Sequence, residues 1–307
     1  MKKVLAISGG VDSVVLMHIF RDDPEAIVAH FDHGTRASST DDAEFVAAAA
    51  KYYNLPFYSS RAKLGSNVSE EQARISRYEY FSCLCREVDG EVWTAHHADD
   101  LIESIAINLT RGTSWRGLVP FGNTAIKRPF IETTLLPKGS RDEFSKLQGC
   151  FSDDGVPGDE SDFVVDKKMI LQYATEHGLS FRQDPTNTED KYLRNRLREK
   201  MRFLDDSKKK ELLKIYHQTN NLKNSVDQLL DEILPKDGVY QRTWFDDLDR
   251  DEAIEILRAA LMRAGVSATR PQMLDFLKAI REYEPAKQFN LPGDRLVKIS
   301  KNFFILK

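Results

Sequence analysis

The sequence predicts an α/β protein: a parallel, doubly wound sheet followed by a smaller, mainly helical domain. Two observations carry this. Over the first third of the 307 residues, short β-rich runs alternate with helix-length segments. From residue 205 onward the pattern turns helical, and strand signals return only near the end.

The elements follow in order. Residues 3–7 are a β-rich run that stops at Ser8-Gly9-Gly10, and a helix is expected over 12–20. Residues 26–31 are a second strand, and an Ala-rich helix over 41–53 is opened by the capping residues Ser39 and Thr40. Residues 56–58 make a short third strand. A helix over 69–88 starts with a Ser69-x-x-Gln72 capping box and has Gly90 just past its end. Residues 91–95 are a fourth strand, with a helix over 99–109 behind it. Strands joined through helices require right-handed crossovers, which places helices on both faces of a parallel sheet.

The regularity breaks after Arg128-Pro129-Phe130. Residues 137–166 hold eight acids against three bases, so an acidic, partly flexible surface insertion is expected over about 132–165. Asp166 then caps a helix ending at His177-Gly178. A long helix is expected over 205–231, two more over 251–263 and 270–283, and short strands around Pro292-Gly293. The expected domains are 1–204 and 205–307. Cys83 and Cys85, mid-helix beside Tyr78, Tyr80 and Phe81, are expected to pack in the core, as are Tyr52-Tyr53 and Phe303-Phe304.

Composition narrows the function classes. With 41% apolar and 30% charged residues the chain can bury a core and is not a disordered one. No apolar run is long enough to span a membrane, and the run before Ser8 is too short for a signal-peptide core. Three cysteines without a C-x-x-C pair argue against a disulfide framework and against a cysteine-built zinc or iron–sulfur site. A cytoplasmic protein with no membrane partner is expected. The net charge of -4 points neither towards nor away from nucleic acid.

The chemistry starts at Ser8-Gly9-Gly10-Val11-Asp12-Ser13. Two glycines let the backbone approach an anion and present N–H groups to it, and the helix behind adds its positive end. Ser8 and Ser13 can donate to phosphate oxygens. Asp12 would repel a polyphosphate unless a cation lay between them, which suggests a Mg²⁺ ligand. The plain alternative is a tight turn with an ordinary cap. The loop lacks the Gly-Lys-Ser/Thr ending of the common phosphate loop. It is similar to the PP-loop of the N-type ATP pyrophosphatases, which implies ATP as co-substrate, cleavage to AMP and pyrophosphate, and a Rossmann-like sheet.

Further motifs stand at the other strand ends. His96-His97-Ala98-Asp99-Asp100 follows the fourth strand, where sites in open α/β sheets gather. Asp99 and Glu103 are four residues apart and share a helix face. They could hold Mg²⁺, anchor an ammonium group or deprotonate it; a solvated acidic face, or a zinc site at the two histidines, are the alternatives. Arg111-Gly112 is either a plain helix C-cap or a cation for pyrophosphate or a target nucleotide. Residues 191–202 carry six bases and one acid, and Arg194, Arg196 and Arg198 form a cationic stripe suited to phosphate backbones, or simply a solvated helix face.

Together with His30-Phe31-Asp32-His33, Leu109-Thr110-Arg111-Gly112-Thr113, Arg128-Pro129-Phe130 and the tract from Asp184-Pro185 to Arg198, this set resembles, in order and spacing, the tRNA(Ile)-lysidine synthetases. The resemblance covers most of 1–203 and is weaker beyond. It implies adenylation of C2 oxygen on the wobble cytidine of tRNA(Ile) with a CAU anticodon, displacement of AMP by L-lysine, Mg²⁺ as helper ion, and room for a homodimer. His30 and Arg36 flank the second strand, where the backbone is expected to frame the adenine and Arg36 to meet phosphates of ATP or tRNA, unless Arg36 is an ordinary surface residue. The competing readings are another PP-loop chemistry, thiolation or amidation, and a non-catalytic tRNA-binding protein. The missing cysteine pair weighs against thiolation and the intact loop against the last.

Overall fold

The computed structural model describes residues 1–34, 39–62, 70–122, 125–147, 163–182, 197, 201 and 204–306. Arg36, the stripe of Arg194, Arg196 and Arg198, and residues 148–162 of the acidic insertion lie outside these residues.

Five strands, β1 (Lys2–Ala6), β2 (Ala26–Asp32), β3 (Phe57–Arg61), β4 (Gly90–Trp93) and β5 (Ile126–Lys127), form one parallel sheet in the order β3-β2-β1-β4-β5. The helices between them are α1 (Val11–Ile19), α2 (Ser39–Tyr52), α3 (Glu70–Val88) and α4 (Ala98–Thr110). The sheet is therefore doubly wound, as the alternation of elements predicts. Within this sheet β5 is the strand the sequence does not signal, because two residues are too few to show a period.

Side chains sort by the two-residue period of a strand. Leu5, Val28 and Trp93 face one layer, with α1, α2 and, further on, α6 (Lys167–Glu176). Val4, Ile27, Ala29 and Val92 face the other, against Phe81 and Leu84 of α3. The helix α1 is buried all round: among its nine residues only Asp12 escapes burial, and it sits in the first turn. Asp12, about a third exposed, is favourable at this positive helix end and stands where the helix meets the end of the sheet.

Three expectations are corrected. The insertion begins as a packed element: α5 (Lys138–Leu147) buries Phe144 completely, stacked on Tyr173 at 5.1 Å and edge-on to Phe130 at 5.9 Å. Cys83 is exposed rather than in the core, because Phe81 and Leu84 take the buried face of α3. Tyr52 and Phe303 are exposed as well, and their neighbours Tyr53 and Phe304 supply the core contacts.

The chain divides into two compact units, Met1–Tyr216 and His217–Lys307. The first runs past residue 204 because the opening turns of α7 (Asp206–Ile233) send Leu212, Leu213 and Tyr216 into a cluster with Leu101, Ile102 and Ile105 of α4. In the second unit α8 (Arg250–Arg263) and α9 (Arg270–Glu282) share a core with Tyr240, Phe245 and Phe304. Two short antiparallel pairs complete it: β6 (Val239–Gln241) with β9 (Phe303–Ile305), and β7 (Gln288–Leu291) with β8 (Arg295–Lys298). Among the described residues no helix is long and apolar enough to cross a membrane.

His18 on α1 supplies a pH test. It is buried, its Nδ1 lies 3.1 Å from the Tyr173 hydroxyl, and burial, aided by Arg21, pushes its pKa down to about 4. The unfolded chain then binds more protons between the ordinary histidine value and pH 4. Stability is full above pH ~6.5 and falls as pH drops through this window, by up to about 1.4 kcal/mol per pH unit. Thermal melts from pH 7 to pH 4.5 are expected to show this slope, and His18→Gln to reduce it.

Candidate functional site

The strand order reverses direction between β1 and β4, which makes their C-terminal ends the switch point where open α/β sheets bind ligands. A cavity of about 330 Å³ lies there. It is lined by Ile7 and Ser8 after β1, His30 and Phe31 at the end of β2, and Thr94, Ala95 and His96 after β4. Asp12, Ser13 and Asp100, each in the first turn of a helix, line it too, as do Arg77, Tyr78 and Phe81 of α3.

The loop is tied internally. Ser13 Oγ donates to Gly10 O at 2.8 Å and accepts from Ser8 N at 3.2 Å, while Ser8 Oγ lies 3.2 Å from Ser13 Oγ. Gly9 holds φ at +92°, a region that side chains avoid, and its carbonyl accepts Arg182 N at 2.9 Å. Arg182 in turn ion-pairs with Asp42 of α2 at 3.0 Å. The N–H groups of Val11, Asp12 and Ser13 occupy helix positions that have no acceptor within their own helix, so they are available to an anion.

Three helix N-termini meet beside this loop: those of α1, α4 and α6. Their first-turn side chains are linked by charge. Lys167 Nζ, at the start of α6, donates to Asp12 Oδ1 at 2.6 Å, and its backbone N donates to Asp99 Oδ2 at 2.8 Å. Lys209 Nζ on α7 reaches Asp99 Oδ1 at 2.9 Å and Asp166 Oδ2 at 2.6 Å. Burial works against the charge of Lys209, but the bonds to Asp166 and Asp99 outweigh it and hold its pKa above the usual lysine value. His97 stands between the carboxylates: its Nε2 is 3.7 Å from Asp12 and 3.4 Å from Asp100, and its Nδ1 is 3.7 Å from Asp99.

Against the expected residues, the structure brings Ser8, Ser13, Asp12 and His30 together around the cavity. His30 is 4% exposed and its Nδ1–H points at Ile7 O, 2.8 Å away, so the ring is a fixed wall of the cavity. Asp99 belongs to the charge network and does not line the cavity; the α4 carboxylate that does is Asp100. Glu103 is 2% exposed and lies one turn deeper. Arg111 is exposed at the far end of α4, about 18 Å along the axis from Asp99, beside Gly112 with φ +67°. For the zinc alternative, His96 Nδ1 is bound to Thr94 Oγ1 at 2.8 Å, and no described group of three or more His, Cys, Asp or Glu is arranged for a metal.

The family follows from this loop and its setting. A model of the PP-loop domain matches residues 1–137 and 163–203, more than half of the chain. The chain belongs to the PP-loop family. The PP-loop match skips 138–162, the stretch that opens with α5. Among curated proteins the chain is 32% identical over 216 residues to the bifunctional protein TilS/HprT of Listeria monocytogenes, covering 64% of this chain and 28% of that protein. It is 27% identical over 258 residues to the tRNA(Ile)-lysidine synthase of Thermotoga sp., covering 78% and 55%. The chain thus spans about half the length, or less, of these relatives. Among solved structures, the U34-tRNA thiolase NcsA of Methanococcus maripaludis shares the PP-loop fold with a TM-score of 0.50 at 14% identity, covering 72% of each chain.

The network makes Asp99 a fastener of three helices. Removing it leaves the Lys167 N–H unpaired and takes one of two carboxylates from Lys209. Asp99→Ala is expected to lower stability by about 1.5–3 kcal/mol in denaturant unfolding, and Asp99→Asn by less. An unchanged midpoint in both variants would show that the network contributes nothing.

Proposed function

We propose that the chain ligates L-lysine to C2 of the wobble cytidine of a tRNA(Ile) bearing a CAU anticodon, using ATP and releasing AMP and pyrophosphate. The observation that carries this is the PP-loop opening onto the switch-point cavity with Asp12 beside it. The names of the curated relatives support the choice of substrates. Since tRNA is the substrate, the reaction belongs in the cytoplasm.

The residues divide the work as follows. His30 and the end of β2 frame the adenine, with Arg36 assigned to phosphate contact. Ser8, Gly9, Gly10, Val11 and Ser13 bind the phosphates through their N–H and hydroxyl groups. The cytidine C2 oxygen attacks the α-phosphorus; an O–P bond forms, the bond to the β-phosphate breaks, and pyrophosphate leaves towards the three helix N-termini. The amine of lysine then attacks C2, and the C–O bond to AMP breaks. An ammonium must first give up a proton. Asp100 lines the cavity, whereas Asp99 is tied to Lys167 N and Lys209 and Glu103 lies deeper, so the proton is assigned to Asp100. Arg111, exposed at the other end of α4, is placed for tRNA rather than pyrophosphate.

Mg²⁺ fits Asp12. Asp12 and Asp100 both line the cavity beside Ser8 and Ser13, and Mg²⁺ takes one or two carboxylates plus phosphate oxygens and water. When bound it would neutralise charge building on the leaving pyrophosphate. The first unit is the catalytic domain in this reading. Arg194, Arg196 and Arg198, near the end of the first unit's sequence, and the helical second unit bind tRNA.

The test is an incubation of the full chain with ATP, radiolabelled lysine and bulk tRNA. Label in tRNA, with AMP and pyrophosphate as products, is expected. AMP without label points to another PP-loop chemistry, and ADP as product refutes the reading. Asp12→Asn is expected to cut turnover by about tenfold or more. Neutralising Arg194, Arg196 and Arg198 together is expected to raise the KM for tRNA and to lower the log–log salt slope by about one unit per lost phosphate contact, with the KM for ATP unchanged.

A further inference from the structure

Lys167 is fixed at its root and loose at its tip. The root is pinned twice: its backbone N donates to Asp99 at 2.8 Å, and Asp166 just before it caps α6 by accepting Met169 N at 3.0 Å. The tip is different. The side chain is 42% exposed, and its ammonium rests on one carboxylate, Asp12, at 2.6 Å. Lys209 is the contrast: it is 13% exposed and lodged between Asp99 and Asp166.

The place that Lys167 Nζ occupies is the place beside Asp12 that a metal–nucleotide would need. Two cations cannot share one face of a carboxylate at contact distance without strong repulsion. A lysine ammonium is a compact charge on a flexible four-carbon stem, so it can leave while its backbone stays put. The triphosphate lies within reach of that stem, since α1 and α6 begin side by side at the loop. Leaving Asp12 therefore costs little once phosphate oxygens are present to receive the ammonium.

We propose that Lys167 is a phosphate-binding residue stored on Asp12: the metal–nucleotide takes the Asp12 carboxylate, and the Lys167 ammonium transfers to the pyrophosphate end of ATP. This rests on the ATP reading above. In the empty site Lys167 cancels the charge of Asp12 and keeps a bare carboxylate from repelling the incoming triphosphate. In the filled site the same charge neutralises the leaving group.

The proposal predicts effects of opposite sign in one variant. Lys167→Met removes a competitor for the metal and a partner for the phosphates. In the full chain without nucleotide, Mn²⁺ followed by electron paramagnetic resonance is expected to bind Lys167→Met several-fold more tightly than wild type. The magnesium complex of α,β-methylene ATP, followed by calorimetry, is expected to bind the same variant about tenfold more weakly or worse. Lys167→Arg, which keeps the charge, is expected to recover most of the nucleotide affinity. Both affinities falling together, or neither moving, would make Lys167 a structural residue and overturn the proposal. Failure of the wild-type chain to bind the nucleotide at all would overturn the ATP reading itself, and this inference with it.

Discussion

The site depends on one constraint: three helices start at the same point, and the like-signed ends of their dipoles must be reconciled. The first turns of α1, α4 and α6 each bring partial positive charge to the C-terminal ends of β1 and β4, and in α6 the N–H groups of Lys167 and Met169 are already bonded to Asp99 and Asp166. Each also carries a carboxylate there or next to it: Asp12, Asp99 with Asp100, and Asp166 as the cap of α6. Acids at helix starts are favourable one by one, but together they repel. Lys167 and Lys209 resolve this by standing between them, at 2.6 Å from Asp12 and from Asp166 respectively and, for Lys209, 2.9 Å from Asp99. The first turns of α1 and α4 line the cavity, which gives it the field a polyphosphate needs.

This arrangement separates two kinds of charge. Lys209 and Asp166 are nearly enclosed and hold elements together; breaking such a pair is costly because the remaining partner is left without compensation. Asp12 and Lys167 are about a third or more exposed, and a pair of that kind exchanges partners cheaply. The structural and the functional ion pairs thus sit side by side and differ in burial. Asp99, as exposed as Asp12, bridges the two groups: it holds Lys209 Nζ at 2.9 Å and accepts Lys167 N at 2.8 Å.

Much of this was legible in the sequence, and the limits have physical causes. The loop from Ser8 to Ser13 and the strands around it are local patterns: a glycine turn between an apolar run and a helix needs no knowledge of the rest of the chain. Asp99 and Glu103 are correctly placed on one helix face by their spacing, yet spacing does not say where that face points, and in the structure the cavity receives Asp100 instead. Lys167 and Lys209 carry no signal at all. Lys167 meets Asp12 across 155 residues of sequence, and a lysine behind a helix cap looks like any solvated one. His97 was readable only as a half of a metal motif, whereas its ring stands 3.4 Å from Asp100 and 3.7 Å from Asp12 and Asp99. The opening of the acidic insertion reads as loop because of Pro137 and Gly139, while Phe144 finds a place against Tyr173 and Phe130 that only the folded sheet creates.

The central claim is that the PP-loop at the β1–β4 switch point holds the triphosphate, with Asp12 on the metal side. The most direct measurement is a crystal structure of the full chain with α,β-methylene ATP and Mg²⁺. The account predicts phosphate oxygens on the N–H groups of residues 9–13, the adenine against His30 and Phe31, and the metal on Asp12. Nucleotide bound elsewhere, with the Ser8–Ser13 loop empty, would contradict it.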